Sequence, residues 1–361
     1  MDSSSSTRKR DDHDVPRGPR IMTGTPLVIA NTVCFFVGSV ASSLLTKYYF
    51  IHGGSSRWVS TWVQSAGFPM LLFPIYLPPL LGLTSRRPFT GFDRKILLMS
   101  VAVGFLLGVN NLLFSWGTSY LPVSTSSLLL SSQLVFTLIL SALIVRQKIN
   151  FNNLNCVILL TVSSVLLALG SSSDRPPGLT RGEYTIGFLC TIGAGLLFAL
   201  YLPVMERIYR RVDCYAMVVE MQTVMEGAAT MLAMVGMACD GGFRDMKEEN
   251  RRAFDKGPGA YQATVASTVV MWQMSFMGTA GMIFLTSSIT GGICMTSLMG
   301  VNVVGGVIAF GDKFGGVKAV SLVLCVWGFC SYLYGMHVRG KGRRSQAEED
   351  ATAVEMAVTA R

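Results

Sequence analysis

Charge is scarce in this chain: 14% of its 361 residues are Asp, Glu, Lys or Arg, against roughly a quarter in an ordinary soluble domain. Half of the residues are hydrophobic and the mean hydropathy is +0.47, which excludes a conventional water-soluble globule. No Lys or Arg falls deep in an apolar stretch, so a phosphorylated substrate such as a nucleotide sugar would find no buried counter-charge. There is no Gly-x-x-x-x-Gly-Lys-Ser/Thr loop to cradle phosphates, which excludes ATP as the driver of any work done here. The eight cysteines are scattered singly, with Cys34, Cys190, Cys294 and Cys325 inside apolar stretches, and no paired spacing marks a disulfide framework or a zinc site. Only three histidines occur, His13, His52 and His337, all outside or at the ends of those stretches. Neither a metal centre nor a cofactor is therefore expected. The clustered His, Asp or Cys that a membrane-embedded enzyme would need is also missing.

What the chain has instead is ten long apolar stretches, at 26-50, 58-81, 95-119, 122-145, 151-170, 184-206, 214-239, 262-287, 289-310 and 316-338. About 20 apolar residues in a helix cross the roughly 30 Å of bilayer hydrocarbon. The expectation is an all-α integral membrane protein with ten transmembrane helices, the second kinked around Pro69, Pro74, Pro78 and Pro79. The first stretch is too long for a cleaved signal peptide and reads as an uncleaved anchor. Residues 1-25 and 339-361 are polar and charged and are expected to be disordered.

Positive charge sets the orientation. Of the 30 Lys and Arg, 19 fall on the N-terminal side of the implied membrane, and the 11 opposite include five in the acid-balanced segment 240-256. Positive residues stay inside, so both termini are expected in the cytoplasm. The net charge of +9 then marks topology and anionic-lipid contact, with no nucleic-acid partner required.

An offset of 165 residues lays the chain on itself: Thr125 meets Thr290, Lys148 meets Lys313, Leu159 meets Leu324 and Gly170 meets Gly335. The implied halves are 26-170 and 184-338, joined by a loop at 171-183. Five spans per half is an odd number, so the second half enters the membrane upside down. An inverted five-plus-five repeat of this kind places a substrate site near the midplane between rocking halves.

The run from Asn110-Asn111 through Phe114-Ser-Trp-Gly-Thr-Ser-Tyr-Leu-Pro-Val-Ser-Thr125, with Ser131-Ser-Gln133 and Leu159-Leu-Thr161-Val-Ser163-Ser164, resembles the signature region of the plant purine permeases. Gly278-Thr-Ala-Gly281, Leu285-Thr-Ser-Ser-Ile-Thr-Gly-Gly292 and Gly328-Phe-Cys-Ser-Tyr332 extend the resemblance over about residues 25 to 340. That family lies within the drug/metabolite transporter superfamily. The resemblance implies ten helices in an inverted repeat, location in the plasma membrane, and proton-coupled uptake of adenine, cytokinins and related heterocycles. The chain departs from the adenine and cytokinin carriers around Glu220 to Glu226 and at 240-256, which leaves alkaloids and vitamin-like pyridines open as substrates. A non-transporting membrane receptor on the same bundle is the further alternative.

The helical faces carry the candidate chemistry. In the seventh stretch Gln222, Thr223, Glu226 and Thr230 share one quadrant, with Glu220 at its edge. A charged carboxylate at the bilayer centre costs about 2.5 to 3.5 kcal/mol, so these groups are expected to face the bundle interior. Glu226 and Glu220 are the expected proton-coupling acids, although Glu220 could instead pair with Arg210 or Arg211. On the fourth stretch Ser126, Gln133 and Thr137 form a stripe, and on the third Ser100, Gly104, Gly108, Asn111 and Ser115 align. Gly104 and Gly108 read as a close helix contact. The amides of Asn111 and Gln133 set a donor beside an acceptor, as the edge of a purine requires, and Asn302 offers the same group on the ninth stretch. Flat rings also need aromatic surface, and stacking is worth about 1 to 3 kcal/mol per base. Trp62, with Trp58 and Ser65, and Trp272, with Thr268, Ser275 and Thr279, are the candidates. The expected substrate-binding set is thus Trp62, Asn111, Gln133, Thr137, Gln222, Trp272 and Asn302, with interhelical bonding or lipid contact as the alternative role of each.

Overall fold

A helix begins most readily where a small hydroxyl can accept from the free N–H groups of its first turn. The computed structural model describes residues 25–145 apart from 131, residues 178–324, and scattered positions within 154–166 and 326–335. In it Ser56, Thr180 and Ser287 cap three helices, and Thr180 forms a full capping box with Glu183. The helices are α1 (Thr25–Ile51), α2 (Arg57–Ser65), α3 (Leu72–Leu80), α4 (Arg94–Tyr120), α5 (Val123–Leu130) and α6 (Gln133–Ile144). They continue with α7 (Arg181–Tyr209), α8 (Tyr215–Cys239), α9 (Gly242–Glu248), α10 (Pro258–Leu285) and α11 (Ser288–Phe310). Residues 316–324 are helical as well. Among the described residues every regular element is a helix. Six helical stretches are long and apolar enough to cross a membrane: α1, α4, α5 with α6, α7, α10 and α11.

Eight of the expected stretches thus coincide with helices to within a few residues. The fifth, at 151-170, lies mostly outside the described residues, as do the head, the tail, Lys148, Gly170 and most of the 171-183 loop, and the tenth lies partly outside them beyond residue 324. The second stretch is not one bent helix but two, joined by a 3-10 turn at Phe68–Leu71. Proline has no N–H to donate and fixes its own φ, so Pro69 opens this tight turn, while Pro78 and Pro79 remain inside α3. The fourth stretch is helical over Val123–Leu130 and Gln133–Ile144, with residue 131 between them outside the described residues, and Ser132 Oγ donates to Leu129 O at 2.7 Å.

Helices meet where side chains are smallest. A Cβ on Gly104 would lie 2.4 Å from Met225 O, so α4 and α8 touch backbone to backbone, and Gly108 faces Ala229 and Leu232 a turn further on. Gly278 does the same for α10 against α1, its Cβ position falling 2.5 Å from Phe35 N. The main contacts pair α1 with α10, α4 with α7 and α8, α6 with α7, α11 with α5, and α2 with α4 and α8.

The segment 240-256 is folded, not open. Glu249, 2% exposed, accepts from Ser55 N at 2.7 Å, Ser56 N at 2.9 Å, Tyr49 OH at 2.7 Å and Tyr261 OH at 3.1 Å. His52 and Asp255 pair at 2.9 Å beside it. The segment is therefore tied to the turn between α1 and α2.

The expectation that no cation is buried is corrected. Lys47 Nζ turns inward to donate to Thr118 O at 2.9 Å and Leu121 O at 2.7 Å, and Lys318, 3% exposed, donates to Ser124 Oγ at 2.8 Å. Both sit close to helix ends, where a long flexible stem lets an ammonium reach exposed carbonyls.

Candidate functional site

Side chains of α1, α2, α4, α5, α6, α7, α10 and α11 converge on a cavity with about 720 Å³ of unfilled space, counting its open mouth.

One wall is aromatic. Trp272 stacks on Phe276 with ring centroids 5.5 Å apart at 28°, and Phe114 meets Trp272 edge-on at 5.3 Å and 84°. The indole N–H of Trp272 donates to Thr46 Oγ1 at 3.3 Å, which fixes the ring plane. Ser39 and Ser275 hydroxyls, 2.6 Å apart, join α1 to α10 along the same lining.

Amides occupy the rest. Gln64, Asn110, Gln133 and Asn302 all line the cavity, and each has a buried polar atom with no hydrogen-bond partner among the described residues. These atoms are Gln64 Oε1, Asn110 Oδ1, Gln133 Nε2 and Asn302 Oδ1. Buried polar groups in folded proteins are almost always paired, so several orphans on one cavity point to a bound partner.

Of the residues expected to bind substrate, Gln133, Trp272 and Asn302 line the cavity. Asn111 does not. Its neighbour Asn110 does, because consecutive helical residues are turned about 100° apart, and Asn111 is buried with both amide atoms unpartnered among the described residues. Thr137 is buried, its hydroxyl donating to Gln133 O at 2.9 Å. Trp62 is half-buried and packs in the cluster of Tyr49, Val59 and Met237. Gln222 lies in a separate polar group, accepting from Tyr201 OH at 3.4 Å and donating to Glu226 Oε1 at 2.8 Å. Sequence reasoning missed Gln64, Asn110 and Phe114. An amide inside an apolar stretch was the available signal for the first two, and the proline-rich second stretch obscured its own helical phase.

Glu226 is fully buried on α8. Its Oε1 also accepts from Gln273 Nε2 at 3.3 Å, and its Oε2 has no partner among the described residues. Gln273 adjoins Trp272 in sequence, so one helix carries both the cavity's aromatic wall and a ligand of the buried carboxyl. Glu220 stands apart. Its partner is Arg86 at 3.0 Å, with Phe89 N also donating at 3.0 Å, and neither Arg210 nor Arg211 is involved. Arg210 pairs with Glu206 at 3.1 Å. Sequence position alone could not rank these arginines, because Arg86 comes from a loop 134 residues away. Among the described residues no group of three or more His, Cys, Asp or Glu is placed to hold a metal ion.

Comparison with known proteins bears on this bundle directly. A family model described as purine nucleobase transmembrane transport matches residues 26–342. The chain is 64% identical over 302 residues to probable purine permease 4 of Arabidopsis thaliana, covering 83% of this chain and 79% of that protein. It is 33% identical over 347 residues to purine permease 3 of the same plant, covering 93% and 97%, and 35% identical over 329 residues to purine permease 2, covering 86% and 92%. These relatives are named as permeases, which are carriers and not enzymes. With its multiple apolar spans and a match over nearly the whole membrane body, this chain is a multi-pass membrane protein that belongs to the purine permease family, a family of purine nucleobase transporters.

Proposed function

We propose that this protein is a proton-coupled secondary carrier that imports purine-type heterocycles, adenine, cytokinins or related bases, across the plasma membrane. The observation that carries the reading is the cavity itself: an aromatic wall beside four amides with unpartnered atoms is the complement of a flat ring bearing both donors and acceptors. Trp272, Gln133 and Asn302 are the substrate contacts in this reading, with Gln64 and Asn110 added. Glu226 is the proton-coupling acid, since it is buried, has a free carboxyl oxygen among the described residues, and is bonded to the helix that carries Trp272. Glu220 is assigned to anchoring the loop of Arg86 and Phe89.

The proposal includes a ten-helix inverted repeat, with halves at 26–170 and 184–338 around a 171–183 connection, and both termini in the cytoplasm. Helix pairing supports it. Exchanging the first five stretches for the second five turns α1–α10 into α4–α7, α4–α8 into α2–α10, and α6–α7 into α1–α11, and every one of these pairs is in contact.

A second reading, a carrier of alkaloids or pyridine-type molecules, is favoured by the neutrality of the lining: amides, hydroxyls and aromatic rings accept any flat neutral heterocycle. Reconstitution in proteoliposomes tests both. Labelled adenine uptake should rise as the outside is acidified and should lose that dependence in Glu226→Gln, and competition by cytokinins, pyridines and alkaloids ranks the substrates. Binding at saturating ligand without flux would instead indicate a receptor.

A further inference from the structure

Gln64 is the one cavity amide whose orientation its surroundings dictate. The two hydrogens of its Nε2 are shared among Ser60 O at 3.1 Å, Asn111 O at 3.0 Å and Ser115 Oγ at 2.9 Å. Two of those acceptors are backbone carbonyls, which cannot donate, so a flipped amide would set oxygen against oxygen twice. Asn302 is under no such constraint, because among the described residues its Nδ2 meets only the hydroxyl of Ser43, at 3.4 Å, and a hydroxyl can serve either way. The atom that Gln64 leaves over is Oε1, buried on a side chain 1% exposed, without a partner among the described residues, on the lining of the cavity.

An acceptor locked in this way discriminates in one direction. A ligand that brings an N–H relieves it. A ligand that brings a carbonyl oxygen, a bare ring nitrogen or a methyl group at that edge leaves it buried and unpaired, and polar sites reject such analogues more strongly than apolar pockets reject a missing methylene.

We propose that Gln64 is a specificity-determining residue of this carrier: a fixed hydrogen-bond acceptor that demands an N–H from the bound heterocycle, held in register by Ser60, Ser115 and the backbone of Asn111. This rests on the transport function proposed above and deepens it by naming the chemistry the substrate must present. The donor can be an exocyclic amino group or a ring N–H.

Competition against labelled adenine uptake in proteoliposomes tests the assignment with adenine, N6,N6-dimethyladenine and 9-methyladenine as competitors. Each methylated compound lacks one class of N–H. Against the wild-type chain at least one of them should compete about tenfold more weakly than adenine, the size of effect expected from leaving a buried acceptor unpaired. In Gln64→Met that penalty should shrink to about threefold or less, because the acceptor is gone while the steric cost of the methyl group remains. A penalty of the same size in both proteins overturns the proposal, as does a wild type that takes all three equally. If Gln64→Met does not fold, Gln64→Asn serves, since it keeps a polar amide but, one methylene shorter, withdraws the acceptor from the cavity. It should reduce the penalty by about two- to threefold, and an unchanged penalty there also overturns the proposal. A wild-type protein that takes up no heterocycle at all would refute the transport reading itself, a result distinct from uptake with an unchanged penalty.

Discussion

Glu206 on α7 and Ser288 at the start of α11 are joined twice: Oε2 of the glutamate accepts from both the backbone N–H of Ser288, at 2.8 Å, and its hydroxyl. The carboxylate therefore closes the N-terminus of a spanning helix from across the bundle, where the helix dipole favours negative charge. Asp312 does the equivalent for α5, accepting from Ser124 N at 2.9 Å.

Removing Glu206 should accordingly be costly. Glu206→Ala leaves the Ser288 N–H buried without its acceptor and should lower stability by about 1 to 3 kcal/mol, while Ser288→Ala, which keeps the backbone bond, should cost less. Thermal unfolding in detergent reads both. Equal effects, or none, would mean that the hydroxyl and the backbone bond are not what joins these helices.

The two acids of α8 should separate in function. Glu226→Gln should abolish the dependence of uptake on external acidity, whereas Glu220→Gln, whose partner is Arg86, should retain it and lose stability instead. Uptake measured over a range of external pH in both variants decides this. Loss of coupling in Glu220→Gln would reverse the assignment.

Close helix contacts should be intolerant of a single methyl group. Gly104→Ala drives its Cβ to 2.4 Å from Met225 O on α8 and should destabilise the protein by about 1 to 3 kcal/mol. Gly195→Ala, whose Cβ would meet Leu130 Cδ2 at 3.6 Å, should be tolerated. Melting temperatures of the two variants in the same detergent provide the comparison.

The segment after α8 should loosen in acid. The hydrogen bond from His52 holds the Asp255 carboxyl below the ordinary aspartate value of 3.8. A depressed carboxyl stabilises the folded arrangement above its unfolded value, and that contribution is lost as pH falls through the lower, folded value. Hydrogen exchange of residues 249–257 should therefore differ between wild type and Asp255→Asn at neutral pH, and the difference should shrink as pH falls below the ordinary aspartate value. A difference that persisted in strong acid would show that charge on Asp255 is not responsible.

Much of the architecture was legible before any coordinates. The apolar stretches located the helices α1, α4, α7, α8, α10 and α11, and the smallness of Gly104 and Gly108 announced a close contact. The proline cluster announced a kink in the second stretch, where the structure has a break at Pro69 with Pro78 and Pro79 left in helix. The site was legible in part. Gln133, Trp272 and Asn302 were singled out as polar or aromatic groups in apolar surroundings, and they do line the cavity. Asn111 was chosen because it shares a stripe with Gly104, Gly108 and Ser115, but Gly104 and Gly108 pack that stripe against α8, and it is Asn110, about 100° further round the helix, that lines the cavity. Lys47, at the end of the first stretch, was not read as turning inward, because nothing in the order of residues says that its ammonium reaches Thr118 and Leu121.

The order of apolar and polar residues by itself determined that this protein lies in a bilayer and roughly where its helices lie, since hydrophobicity along a stretch is a property of neighbouring residues. Only the tertiary structure decided which polar groups share one cavity, that Glu220 belongs to Arg86, and that the amide of Gln64 is locked with its oxygen left over. Those outcomes depend on the rotation and tilt of each helix against the others. Such angles are set by contacts between residues far apart in the chain, and no local pattern encodes them.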